Sequence, residues 1–143
     1  PRVQLLGSGA ILREVIAAAG LLKQDWGVDA DLWSCPSFTL LARDGHACAR
    51  WNLLHPAEKP KLSHVEQSLK DTRGPVVAST DYVRAFAEQI RPYVRAFFEV
   101  DGHYVAVAAL KALADESQLD KARVKEAIAR YGLDPDKPNP VTV

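Results

Sequence analysis

The alternation of short apolar runs with helical patterns is the feature that most limits the fold of this chain. The apolar run over residues 3–6 ends at Gly7-Ser8-Gly9, and apolar residues then recur at helical spacing over 11–22. A second β-rich run covers 28–35 and a third covers 76–78. Because strands and helices alternate along the chain, the sequence predicts a sheet with parallel strands and helices on both faces.

The segment between the second and third strands has helical signals. Ser37 can cap a helix, which we expect to break at Asp44-Gly45 before another helical stretch that stops at Pro56. Apolar residues over 62–69 mark a further short helix. Pro56 to Pro60 is predicted to be a loop.

The last third of the chain is predicted to be helical. Ser79-Thr80-Asp81 can cap a helix with an apolar face over 83–90, and beyond Pro92 the apolar residues from Phe97-Phe98 to Tyr131 all follow helical spacing. No further strand is predicted.

The predicted end of the chain has its own signals. Asp120 can cap the last helix, and Gly132 lies where a left-handed residue would end it. Residues 134–143 contain three prolines and predict an extended surface strap.

Three strands make a small sheet for so many helices. Either one or more strands of the sheet are supplied from outside this chain, or part of the chain is absent from this sequence. The absence of methionine also indicates a chain that has lost its start or been trimmed from a larger one. We therefore expect residues 1–143 to form a single domain that is a fragment of a larger protein.

Composition disfavours several classes of partner. The 18 basic and 18 acidic side chains cancel, so no net positive field favours nucleic acid or an anionic membrane. No apolar run is long enough for a membrane span and no signal peptide opens the sequence, which predicts a soluble protein. Cys35 and Cys48 could pair, but they are more typical of small buried residues than of a disulfide.

Two turns could bind an anion. Gly7-Ser8-Gly9 lies between a strand and a helix, as in phosphate-binding turns, but the third glycine of a dinucleotide site and the Gly-Lys-Ser/Thr of a P-loop are absent. A tight turn that needs small residues is the favoured interpretation. Ser79-Thr80-Asp81 favours an ordinary helix cap, since its acid would repel an anion. A non-catalytic module that binds a small anion at Gly7-Ser8-Gly9 remains the alternative.

Other polar residues give weaker signals. No two of the histidines have the spacing of a helical metal site, and His46 and Cys48, two positions apart on a helix, point in different directions. Arg43-Asp44 and Arg50-Trp51-Asn52 indicate either a partner-facing surface or, as we favour, solvated charges over a buried Trp51. The four histidines are His46, His55, His64 and His103.

Several stretches that together cover almost the whole chain form a recognisable set. They are 3–9 with 11–14, 37–39 with 41–45, Arg50-Trp51-Asn52-Leu53-Leu54-His55-Pro56, 77–82 with 86–89, Phe98-Glu99-Val100-Asp101, Asp136-Lys137 and Asn139-Pro140. In the same order, these stretches resemble the C-terminal domain of the homodimeric bacterial pyruvate dehydrogenase decarboxylating component.

The resemblance implies the fold class α/β, a three-layer α/β/α domain with a small mixed, mostly parallel sheet, like the transketolase C-terminal domain. It implies a thiamine diphosphate- and Mg²⁺-dependent enzyme that decarboxylates pyruvate and acetylates the lipoyl group of the acyltransferase component. The implied partners are the preceding domains, a homodimer partner and that dihydrolipoyl acyltransferase component, in the cytoplasm. The domain itself would have a structural role in assembly.

No catalytic, cofactor-binding or metal-binding residue of the family maps onto this chain, because the family's cofactor and catalytic residues belong to the preceding domains. We therefore expect the isolated chain neither to bind thiamine diphosphate tightly nor to decarboxylate pyruvate. The acids Asp25, Asp29 and Asp31, and likewise Asp115, Glu116 and Asp120, are expected to be exposed to solvent.

One departure from the family is large. Between Tyr93-Val94 and Arg95-Ala96 the family has roughly two dozen more residues, including a strand and a glycine-rich loop. We expect a segment to be missing between Val94 and Arg95. Trp51 is expected to be structural, with its ring packed under the loop from Pro56 to Pro60.

Overall fold

The computed structural model describes residues 1–80, 89–93, 96–98 and 101–134. Within these ranges the chain forms a four-stranded parallel sheet with helices on both faces. The strands are β1 (Arg2–Gly7), β2 (Asp29–Ser34), β3 (Val76–Ser79) and β4 (Ala96–Phe98). The described helices are α1 (Leu12–Trp26), α2 (Phe38–Leu54), α3 (His64–Leu69), α4 (Gly102–Asp115) and α5 (Lys121–Arg130).

The strand order is β2-β1-β3-β4, so β1 and β3 lie at the centre. From β1 the chain moves first to one side, to β2, and then returns to the other side, to β3. In register, Leu5 pairs with Leu32 of β2 and with Val77 of β3. The carboxyl ends of β1 and β3 therefore form the point at which the strand order reverses, which is where open α/β sheets commonly bind ligands.

One face of the sheet holds the larger core. Alternate strand residues, including Leu5 and Val77, point to this face and pack against α1, α4 and α5. Burial of this much apolar surface is the main contribution to stability. The fully buried large members are Val3, Leu5, Val15, Leu22, Val28, Val77, Val105, Leu110 and Leu113.

The other face holds a smaller core. Leu6 and Ala78 point to this side and pack with Phe38 and Ala42 of α2 and with Ile90. Two helical layers thus enclose the sheet, which confirms the predicted three-layer α/β/α architecture and the mostly parallel sheet. All four described strands are parallel.

Local sequence sets several helix ends, and those at Ser37, Asp120 and Gly132 agree with the predictions. Ser37 accepts a hydrogen bond from the Leu40 amide at the start of α2, and Asp120 accepts one from the Ala122 amide at the start of α5. Gly27 ends α1 with a φ of 65°, and Gly132 follows α5 with a φ of 63°. The short helix α3 begins at a capping box between Ser63 and Glu66.

Two predictions about the elements were wrong. Residues 96–98, expected to be helical, form β4 and pair in parallel with β3, because the open edge of β3 offers unpaired backbone groups that outweigh local helical preference. The expected break at Asp44-Gly45 does not occur, and α2 is continuous. A Cβ at position 45 would overlap the ring of Tyr93, so Gly45 is a close-packing site within the helix.

Several predictions fall outside the described residues. These are most of the helix over 83–90, the gap between Val94 and Arg95, and almost all of the strap over 134–143. Within the described residues, no helix is long and apolar enough to cross a membrane.

Candidate functional site

The carboxyl edge of β1 and β3 brings together the two turns that the sequence singled out. The Ser8 amide donates to the Ser79 carbonyl at 3.2 Å, and the Ser8 hydroxyl donates to Thr80 Oγ1 at 2.9 Å. Ser8, Ser79 and Thr80 are all buried. The two turns therefore fasten the central strands to one another.

This pairing argues against the anion-binding alternative. An anion at Gly7-Ser8-Gly9 would need free donors, yet both the amide and the hydroxyl of Ser8 are bonded within the chain. A Cβ at Gly7 would lie 3.0 Å from a Val15 methyl, so this glycine permits close packing of strand and helix. The structure thus supports the interpretation of Gly7-Ser8-Gly9 as a tight turn. At the neighbouring strand end, the buried Ser79 hydroxyl has no hydrogen-bond partner among the described residues.

The four histidines lie in separate places. His46 meets Tyr93 edge-on, His55 stacks on Trp51, and the His64 amide donates to Asp44 at 2.6 Å. His103 lies beside Asp101 and Tyr131. These described contacts do not bring two histidines together.

The acidic residues are engaged in ion pairs and caps. Lys23 pairs with Asp29 at 2.6 Å and lowers the pKa of that carboxyl. Asp31 bonds to Arg2 and accepts from Gln4, and Lys111 pairs with Asp115 four residues on. Among the described residues, no three His, Cys, Asp or Glu side chains converge as metal ligands. The described residues therefore do not fit a Mg²⁺-diphosphate group.

Asp25 corrects one sequence prediction. It was expected to be exposed, but only 10% of its side chain is accessible. Arg130 donates to Asp25 Oδ1 at 2.7 Å. The Tyr131 hydroxyl donates to Asp25 Oδ2 and accepts from Trp26 Nε1 at 2.8 Å. Burial, followed by the Asp25 contact, raises the pKa of Tyr131. This network joins the ends of α1 and α5 and gives the acid a structural role.

A shallow cleft of about 390 Å³ lies at the amino end of β3. Its walls include Glu66 of α3, Lys70 directly after α3, Tyr93, and Glu116 after α4. Burial raises the pKa of Tyr93, and Glu66 adds to the effect. The lining has two carboxylates and one ammonium and, among the described residues, shows no nucleophile next to a base.

The end of α2 places Trp51 between two side chains. Its ring stacks on His55 with centroids 4.3 Å apart, and the Lys61 ammonium lies 4.0 Å from its centroid. The Asn52 side chain fastens the loop by accepting from the Lys61 amide at 2.8 Å and donating to its carbonyl at 2.9 Å. Trp51 is half-buried, so the expectation of a buried Trp51 under Pro56 to Pro60 was wrong: the ring contacts the residues that flank this loop.

We predict that Trp51→Ala lowers the free energy of unfolding by about 1–2 kcal/mol, because it removes one stacked pair and one cation–π contact from a half-buried site. Urea denaturation measures the loss. Asn52→Ala should have a similar effect, since it releases the same loop. A Trp51→Ala loss close to that of a fully buried tryptophan would contradict the partial burial.

Both cysteines are free, as favoured from the sequence. Cys35 is buried, which raises the pKa of its thiol to about 11. The unfolded thiol ionises at lower pH than the folded one. The stabilisation from keeping Cys35 neutral is therefore complete below the unfolded pKa and is lost as pH rises towards about 11.

We predict that the free energy of unfolding falls by up to about 2 kcal/mol from this thiol between roughly pH 8 and pH 11. Cys35→Ala should remove that part of the pH dependence. Denaturation curves at several pH values compare the two proteins, with Cys48→Ala as the matched control. Parallel pH profiles for the parent and Cys35→Ala would contradict the prediction.

Comparisons with known proteins give a consistent result. Residues 1–123 match the family of the transketolase-like TK C-terminal domain. The chain is 61% identical to the pyruvate dehydrogenase E1 component of Cupriavidus necator over 164 aligned residues, which cover 100% of this chain and 18% of the relative. Identity is 53% with the same component of Pseudomonas aeruginosa and 47% with that of Escherichia coli K12, each over 97% of this chain and 18% of the relative.

These alignments establish two further facts. The chain spans about 18% of the length of the curated relatives it matches. The 164-residue alignment is also longer than the 143 residues of this chain, so the relative has additional residues inside the aligned region.

Proposed function

This chain belongs to the transketolase-like C-terminal domain family, and from this premise we propose that it is the C-terminal domain of a thiamine diphosphate-dependent pyruvate dehydrogenase. The full enzyme decarboxylates pyruvate and acetylates the lipoyl group of the dihydrolipoyl acyltransferase component. The observation that carries the proposal is 61% identity, along the whole chain, to a pyruvate dehydrogenase E1 component.

The proposed role of the domain itself is structural. Two groups of described polar residues bond within the domain: Ser8 binds Ser79 and Thr80, and Asp25 binds Arg130 and Tyr131. These contacts stabilise the fold, and the described residues form no constellation suited to catalysis. The partners we propose are the preceding domains, a second copy of the full polypeptide, and the acyltransferase component, in the cytoplasm.

The test uses the full polypeptide that contains these residues. Purified with thiamine diphosphate and Mg²⁺, it should release CO₂ from pyruvate and acetylate an added lipoyl domain. 2-Oxoglutarate serves as the matched control substrate and should react at least about ten-fold more slowly. Preferential turnover of another 2-oxo acid, or failure to acetylate the lipoyl domain, would contradict the proposal.

We also propose that the cofactor is held outside this chain. Diphosphate binding through Mg²⁺ needs several oxygen ligands that converge on the metal. Among the described residues, no three His, Cys, Asp or Glu side chains come together. Titration calorimetry of the isolated 143 residues with thiamine diphosphate and Mg²⁺ should show no micromolar binding, and a pyruvate assay should stay at the buffer rate. Heat release that saturates at micromolar cofactor would overturn this part of the proposal.

The internal gap remains a proposal. Residues 94 and 95 lie outside the described residues. The 164-residue alignment exceeds the 143 residues of this chain by 21, which supports a missing segment of about that length. Peptide mapping of the full polypeptide should recover further residues between Val94 and Arg95. A single peptide in which these two residues are joined would exclude the segment.

A further inference from the structure

An apolar stripe runs along α2 beyond the part of the helix that the domain covers. Its members follow helical spacing, so they lie on one side of α2. The first three are buried, but Ala49 is exposed and Leu53 is 78% exposed. In order, the stripe consists of Phe38, Ala42, Gly45, Ala49 and Leu53. The side of α2 that packs on the core therefore continues past the core without a cover among the described residues.

The loop after α2 fixes this helix end without covering the stripe. Asn52 bonds twice to the backbone of Lys61, and Lys61 and His55 both contact Trp51. Trp51 lies roughly 200° around the helix from Leu53. The loop thus binds α2 on the side of Trp51 and Asn52 and leaves Leu53 exposed.

We propose that Ala49 and Leu53 dock against an apolar surface on the preceding part of the same polypeptide. The inference rests on the proposed function, in which this chain is the last domain of a longer protein. Relatives are more than five times as long as this chain, since it covers only 18% of them. Leu53 lies on the same side of α2 as the buried residues, yet it is 78% exposed. Burial of its side chain against a second apolar surface would stabilise the protein.

The first experiment measures accessibility in the full polypeptide. Leu53→Cys and Leu40→Cys are made separately and labelled with N-ethylmaleimide, and the labelled peptides are quantified by mass spectrometry. Leu40 is the matched control because it is 62% exposed on a different side of α2. The thiol introduced at position 53 should react at least about ten-fold more slowly than the thiol introduced at position 40 in native protein, and equally fast in urea. Equal native rates would overturn the proposal.

The second experiment identifies the cover. A photoreactive benzoylphenylalanine replaces Leu53, and dimers are formed from mixed isotopically light and heavy polypeptides. Cross-links from position 53 to residues that precede Pro1, within chains of one isotope, support the proposal. Cross-links to residues of the 1–143 region, or between light and heavy chains, identify an internal segment or a second copy and overturn it. Absence of cross-links also overturns it.

The two proposals fail separately. If the parent polypeptide does not decarboxylate pyruvate, the proposed function is refuted. The ratio of the labelling rates at positions 53 and 40 reports only whether Leu53 is covered. If Leu53→Cys reduces folding, Ala49→Cys provides a second, smaller change on the same stripe, with Ala47→Cys as its exposed control on α2.

Discussion

Gly74→Ala is expected to destabilise the protein by roughly 3–5 kcal/mol, because a left-handed backbone and a backbone clash act together. Gly74 has a φ of 83°, a conformation that disfavours any side chain. A Cβ at this position would also overlap the carbonyl oxygen of Arg2 at the start of β1. Relief would require displacement of β1, which is tied to this turn by the hydrogen bond from the Gln4 amide to the Pro75 carbonyl at 2.9 Å.

Gly27→Ala is the matched control for this prediction. Gly27 has a similar φ of 65° but nothing lies within 4 Å of its added Cβ among the described residues, so only the conformational cost of about 1–2 kcal/mol applies. Urea denaturation of the two variants and the parent gives both losses. Equal losses would show that the turn before β3 moves away from Arg2 without cost.

The parts of the fold that depend on local sequence were predictable. The first three strands, the caps at Ser37 and Asp120 and the left-handed ends at Gly27 and Gly132 follow from residue type and spacing. The fourth strand was not predictable, because residues 96–98 form a strand through pairing with the edge of β3. The continuity of α2 also depends on a distant group, the ring of Tyr93 against Gly45.

The candidate site shows the same division. The sequence placed Gly7-Ser8-Gly9 and Ser79-Thr80-Asp81 at strand ends. It favoured a tight turn for the first, which the Ser8 hydrogen bonds support, and a helix cap for the second, whose helix lies outside the described residues. It could not reveal that only 10% of the Asp25 side chain is accessible, since its partner Arg130 is 105 positions away. Acids near a predicted turn are usually exposed, and only the packing of α5 on α1 brings this pair together.

Gln4 is the clearest polar residue that spacing alone did not single out. It lies in the central strand β1 and is fully buried, among residues that otherwise fit an apolar strand. Its side-chain amide donates to Asp31 Oδ2 at 2.8 Å and to the Arg73 carbonyl at 2.9 Å, and its carbonyl accepts from Trp33 Nε1 at 2.8 Å. The Gln4 side chain thus forms hydrogen bonds with two side chains of β2 and with a backbone carbonyl in the turn before β3.

We predict that Gln4→Leu lowers the free energy of unfolding by roughly 3–4 kcal/mol. Leucine has a similar volume, so the loss reflects polar groups that remain without Gln4: the Trp33 indole N–H, the Arg73 carbonyl and the Asp31 carboxylate. A double-mutant cycle with Trp33→Phe isolates one of these contacts, because phenylalanine removes the indole donor. In the Trp33→Phe background, Gln4→Leu should cost about 1–2 kcal/mol less than in the parent. Additive losses would show that the indole N–H finds another acceptor when Gln4 is removed, and the stabilising role of Gln4 would then lie with Asp31 and Arg73.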